Sequence, residues 1–149
     1  MAIARGAGTE IIRSASFEDI DTNNTTLIVG VQHHIYTVLS VSIRCYNNEG
    51  GTQLFYLNLK GYDSKAGTTN QTISLMASLI ATGDTFVWND KFSFNGYEPV
   101  NFTGPMDDAT KQDEIADQGS SVSQYLFCSG GHADDNYEVH VTYIDQNNA

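Results

Sequence analysis

The chain has 149 residues, 40% of them hydrophobic and 17% charged, with only two prolines. That is enough for one domain with its own apolar core, and the composition excludes a disordered polymer. Seven Lys and Arg against eighteen Asp and Glu give a net charge of −11, which repels phosphate backbones and sets nucleic acid aside as a partner.

Taken in chain order, residues 1–9 are small and without periodicity and read as an extended N-terminal arm. They hold no apolar run of the kind a secretory signal needs, so synthesis and folding in the cytoplasm are expected. Glu10 to Phe17 forms a first strand, followed by an acidic turn through Asp19, Asp21, Asn23 and Asn24. Thr25 to Val31 is a short β-rich run. After the His33-His34 pair comes a sustained alternation, with Ile35, Thr37, Leu39, Val41, Ile43 and Cys45 expected on one face. Tyr36, Val38, Ser40, Ser42, Arg44 and Tyr46 fall on the other, a period of two that no helix reproduces. Asn47 to Gly51 is a turn, because Asn and Gly accept positive φ at little cost.

Gln53 to Tyr62 is the next strand, with Phe55, Leu57 and Leu59 on one side, and Asp63 to Asn70 is a polar loop. Gln71 to Ile80 suits strand or helix by composition. The turn chemistry of Ala81-Thr82-Gly83-Asp84, leading into β-rich Thr85 to Trp88, favours strand. Lys91 to Phe102 is dense in aromatics. Residues 105–119 change character and read as an exposed insertion with one short helical segment, capped by Asp107 or Asp108. Val122 to Cys128 resumes a strand, and Ser129 to Asn136 is a loop. Tyr137, Val139, Val141 and Tyr143 alternate with polar residues in a last strand, and residues 145–149 form a polar C-terminal tail. About eight short strands with turn chemistry between them predict an all-β fold, an antiparallel sandwich or jelly roll, as one domain over 1–149.

No residue pattern predicts an enzyme, a cofactor site or a metal site. Neighbouring histidines on a strand point to opposite faces, so His33-His34 does not chelate as a pair, and zinc needs three or four converging ligands. The oxygen-rich loop Gly130 to Asn136 does not have the spacing of an EF-hand. No Gly-x-Ser-x-Gly elbow or phosphate-cradling glycine loop is present. Cys45 and Cys128 read as buried free thiols in strands rather than a disulfide. No hydrophobic stretch is long enough to span a bilayer. The feature most suggestive of contact is the aromatic segment, where Phe92, Phe94, Tyr97 and Phe102 are the candidate interface residues, since exposed aromatic clusters mark interfaces. The competing reading for the same rings is core packing around a turn.

Five runs carry a wider resemblance: GAGTEIIRSASFEDID from Gly6, VQHHIYTVLS from Val31, FVWNDKFSFNGYEP from Phe86, ADQGSS from Ala116 and the closing VTYIDQNNA. Together they resemble small virion structural proteins of tailed bacteriophages, above all those of cyanophages. The resemblance lies in overall texture and brings no catalytic residue with it. It implies a β-sandwich that decorates or cements the outer capsid surface, often as a homotrimer, with the major capsid protein as partner. Two other roles are open to such a chain. One is a tail or head–tail connector component. The other is a carbohydrate-binding sandwich for host attachment, with Trp88 and Tyr97 as stacking platforms.

Overall fold

The computed structural model describes residues 8–63, 68–99 and 121–148. These form eleven strands and a single 3-10 turn at Glu49–Gly51. The strands are β1 (Thr9–Ile20), β2 (Thr25–Val29), β3 (His34–Asn47), β4 (Leu54–Asp63), β5 (Thr68–Leu79), β6 (Thr85–Trp88), β7 (Phe92–Asn95), β8 (Tyr97–Pro99), β9 (Ser121–Ser123), β10 (Tyr125–Ser129) and β11 (Asn136–Asn147). One antiparallel sheet runs β1-β11-β3, with β6 and β7 pairing successive parts of the free side of β3. A second runs β2-β10-β4-β5, and β8 with β9 makes a small ribbon. The expected all-β sandwich is the observed fold.

The core lies between the two larger sheets. Val41, Ile43, Tyr137, Val139 and Val141 from one sheet and Phe55, Leu57, Leu126 and Cys128 from the other are essentially inaccessible to solvent. Phe55 packs on Tyr137 with ring centroids 4.9 Å apart, closing the middle of the sandwich. The last strand alternates as expected, because β11 is central and only one of its faces meets the core.

Four expectations are corrected. Along β3 the buried residues are Tyr36 and Val38, then Val41, Ile43 and Cys45. Against β11, Thr142 faces Ser40 while Tyr143 faces Val38, so Leu39 is an extra residue. This bulge moves each following side chain to the other face, and Ile35 and Thr37 point away from the core that Tyr36 and Val38 enter. The C-terminal residues do not form a tail from 145, since β11 continues to Asn147 and Asp145 is buried. The strands number more than eight because the aromatic segment divides into short pieces that pair with separate neighbours. Part of the 63–70 loop is also strand, with β5 starting at Thr68. The insertion expected at 105–119, Phe102 and residues 1–7 of the arm lie outside the described residues.

Glycine decides the crossing between the small ribbon and the sandwich. The Gly96 amide donates to His34 O and the Gln124 amide donates to Gly96 O, both at 2.8 Å. A Cβ at Gly30 would collide with the carbonyls of Gln124 and Gly96, and one at Gly96 with the backbone of Val31. Only glycine lets the backbones approach this closely.

Candidate assembly surface

Two strands stand out by what they leave uncovered. β1 is twelve residues long and pairs along one side only, with β11 from Thr9↔Asn147 to Phe17↔Val139. Ala15 and Phe17 pack against the core, whereas Ile11 and Ile12 are 40% and 74% exposed. β5, also twelve residues, ends the other sheet and, among the described residues, pairs only β4. Its Ile73 and Leu79 are more than half exposed. The outer side of each carries backbone donors and acceptors that no described strand pairs, the geometry to which another strand adds.

The charge along these edges is the second part of the pattern. From Thr9 to Phe17 the ionisable side chains are Glu10 and Arg13, which cancel, with Glu18 and Asp19 following at the end of β1, and from Thr68 to Leu79 there is none. Most of the excess of carboxylates lies elsewhere on the chain. Edge strands that must stay unpaired are guarded by lysines, prolines, inward charges or bulges; neither strand carries a lysine or proline, and what guards them is Arg13, the Glu18-Asp19 pair with the register shift at the end of β1, and the register shifts between β4 and β5. The sequence reading passed over them, although a charge-free twelve-residue stretch in so acidic a chain was a visible signal.

The candidate interface residues of the aromatic segment occupy different places. Phe94 is buried, 5.3 Å from the Tyr36 ring, so it serves the chain's own core rather than a partner. Phe92 packs partly against the same core and meets Trp88 edge-on at 6.5 Å. Trp88 donates its indole N–H to the Asp90 carbonyl at 2.8 Å, and Tyr97 is half-buried in β8. Of these rings only Phe94 is buried, Trp88, Phe92 and Tyr97 stay partly exposed, and Phe102 lies outside the described residues.

His33 and His34 prove to be unlike one another. His33 sits in the turn before β3 with φ of 66°, and His34 opens the strand. The His34 Nδ1–H donates to Asp145 Oδ1 at 2.6 Å, while Arg13 approaches the other carboxylate oxygen at 3.6 Å. Asp145 is only 2% exposed, so a buried carboxylate joins the ends of β1, β3 and β11. Beside it the Tyr36 hydroxyl donates to Val29 O and accepts from the Val31 amide, tying the first sheet to the second. Burial is the main reason that Tyr36 is pushed up to about 12.

The oxygen-rich loop is organised from within. The Asp135 carboxylate accepts the amides of Gly131, His132 and Glu49, each at 2.9 Å, which places N–H groups rather than a cation against it. Among the described residues no three metal-ligating side chains converge. Cys45 and Cys128 are both buried and free. Burial pushes Cys128 up to about 12 and raises Cys45 too, so both are held as neutral thiols.

No protein-family model matches the sequence, and the comparison with characterised proteins returns no match. Among solved structures, a chain of the Bacillus endospore appendages, described as a novel family of disulfide-linked pili, aligns over 100% of this chain and 97% of its own. The identity is 12% and the TM-score 0.42. A chain from the structure of infectious bursal disease virus Gt strain aligns over 98% of this chain and 35% of its own, at 8% identity and a TM-score of 0.47.

Proposed function

We propose that this chain is a non-enzymatic structural protein of a virion: a capsid decoration protein of a tailed bacteriophage, working as a homo-oligomer on the outer capsid surface. The observation that carries the reading is the pair of long edges that no described strand pairs, β5 without an ionisable side chain and β1 with no net charge from Thr9 to Phe17, in a chain of net charge −11. Two such chains repel over most of their surface. Along β5 and the Thr9 to Phe17 part of β1 the repulsion is weak, and strand addition offers backbone hydrogen bonds together with burial of Ile11, Ile12, Ile73 and Leu79. Each contact can be weak, because a symmetric trimer that touches several copies of the major capsid protein gains from effective concentration. The acidic remainder keeps the protein soluble at high copy number and away from packaged DNA.

The same observation favours a second reading, a tail or connector ring component. Since β1 and β5 belong to different sheets, β1 of one copy adding to β5 of the next is a head-to-tail contact, which closes a ring or grows a filament. The mass of the purified chain in solution, followed by co-sedimentation with capsids lacking it, tests both. A trimer that saturates the shells at a fixed ratio is the expected result. A larger ring that ignores shells moves the assignment to the tail or connector, and a monomer that binds neither shells nor tails overturns the structural reading.

A further inference from the structure

The outward face of the first sheet carries a groove of about 500 Å³, one end of which is lined by Ser16 and Glu18 of the β1 edge. Its floor follows from register. Ser16 on β1, His140 on β11 and Ser42 on β3 lie directly opposite one another across three strands. One row along, Glu138, Arg44 and Thr85 do the same across β11, β3 and β6. Strands about 4.8 Å apart and rows about 7 Å apart make a polar field roughly 14 Å by 7 Å, the footprint of one or two sugar rings. The volume lies within the roughly 300–1,000 Å³ typical of small-ligand sites.

We propose that this groove binds a neutral sugar through vicinal hydroxyls. The side chains offer both donors and acceptors at close quarters. Ser16 Oγ and His140 Nδ1 are 2.8 Å apart. Arg44 and Glu138 are joined only loosely, at 3.9 Å, and each is about half exposed. Both side chains line the groove with donors and acceptors that their loose pairing leaves unused, a complementary pair for two adjacent hydroxyls. Tyr46, 57% exposed, lies next along β3 with the Arg44 guanidinium 5.2 Å over its ring. It flanks the polar field with an aromatic surface.

Other occupants fit less well. Glu18 and Glu138 both line the groove, which opposes an anionic ligand. The backbone of the floor is already paired within the sheet, so an extended peptide has no ladder to join. The charged lining disfavours an apolar ligand. This inference goes beyond the structural role, and it stands or falls separately from it.

The test is titration of the full chain, followed by amide NMR, with neutral hexoses and their methyl glycosides, and with sialic acid as an anionic comparison. A neutral glycan array runs alongside, so that a free sugar is told apart from the end unit of a surface polysaccharide. The expected result is saturable shifts around Ser42, Arg44 and His140 with at least one neutral sugar or array glycan. Glu138→Gln and Arg44→Ala should each weaken binding by about tenfold. Both side chains are half exposed, so the variants should keep the wild-type melting temperature, oligomeric mass and any capsid binding. Absence of saturable binding in both arms, preference for sialic acid, or binding unchanged in both variants would overturn the proposal.

Discussion

Replacing Asn48 with alanine tests how the far end of the sandwich is held. Asn48 follows β3, is 5% exposed, and sits where β3, β4 and the turn after β5 converge. Its Nδ2 donates to Gln53 O at 2.9 Å and to Ile80 O at 3.0 Å, and approaches the Tyr137 hydroxyl at 3.4 Å. Its Oδ1 accepts the Gln53 amide at 3.1 Å. Alanine removes all of these and leaves the Ile80 carbonyl buried without its side-chain donor. A buried polar group left unsatisfied costs about 1–3 kcal/mol, and the groups on Gln53 are only partly buried and regain water. The expected loss is about 3 kcal/mol, a sizeable part of the 5–15 kcal/mol of stability common for domains. At 2–4 °C per kcal/mol for this size, the melting temperature should fall by about 10 °C. Urea unfolding followed by far-ultraviolet circular dichroism, at one fixed protein concentration because assembly adds stability, measures the loss directly. Asn48→Asp keeps the acceptor but turns an oxygen toward two carbonyls, so it should be worse than alanine. A loss below about 1 kcal/mol for alanine, or an aspartate variant as stable as wild type, would refute the assignment of this side chain as the joint.

Three further outcomes follow from the same structure. Cys45, Cys128, Tyr36 and Tyr137 are all raised above their ordinary values, chiefly by burial. The unfolded chain therefore loses these protons first, from the ordinary thiol value of 9.0 upward, and their contribution to stability is complete below that pH and falls toward about 12. Urea midpoints that decline between pH 9 and pH 11 meet this expectation, and a flat profile contradicts it. Gly96→Ala, which forces a methyl group into the Val31 backbone, should cost about 3 kcal/mol or prevent folding, whereas alanine at Gly50, which has open space but a φ of 70°, should cost about 1 kcal/mol, both read by the same unfolding assay. Ile12→Lys, at a site 74% exposed on the β1 edge, should leave the fold intact and reduce the mass in solution to a smaller species; an unchanged oligomer would remove β1 from the assembly surface.

What could be read from the chain alone was whatever depends on neighbours in sequence. Alternation from Tyr137 to Tyr143 announces a half-buried strand because side chains on a strand alternate by geometry. Asn47 to Gly51 announces a turn, and Gly50 and Gly51 do adopt positive φ, near 70°. The all-β class followed from many such local signals. What local pattern cannot contain is the extra residue at Leu39, since a bulge is defined only against the partner strand, and that one residue reverses which face of β3 meets the core. The inward packing of Phe94 was hidden for the same reason, because its burial depends on Tyr36, far away in the chain. His34 and Asp145 meet across 111 positions, and Asp135 takes the Glu49 amide across 86. The exposed edges were decided last of all. A strand is an edge only when the sheet has been ordered, and the pairing of β1 with β11 and of β5 with β4 is set by which buried faces must come together, a property of the whole sandwich and of no single segment.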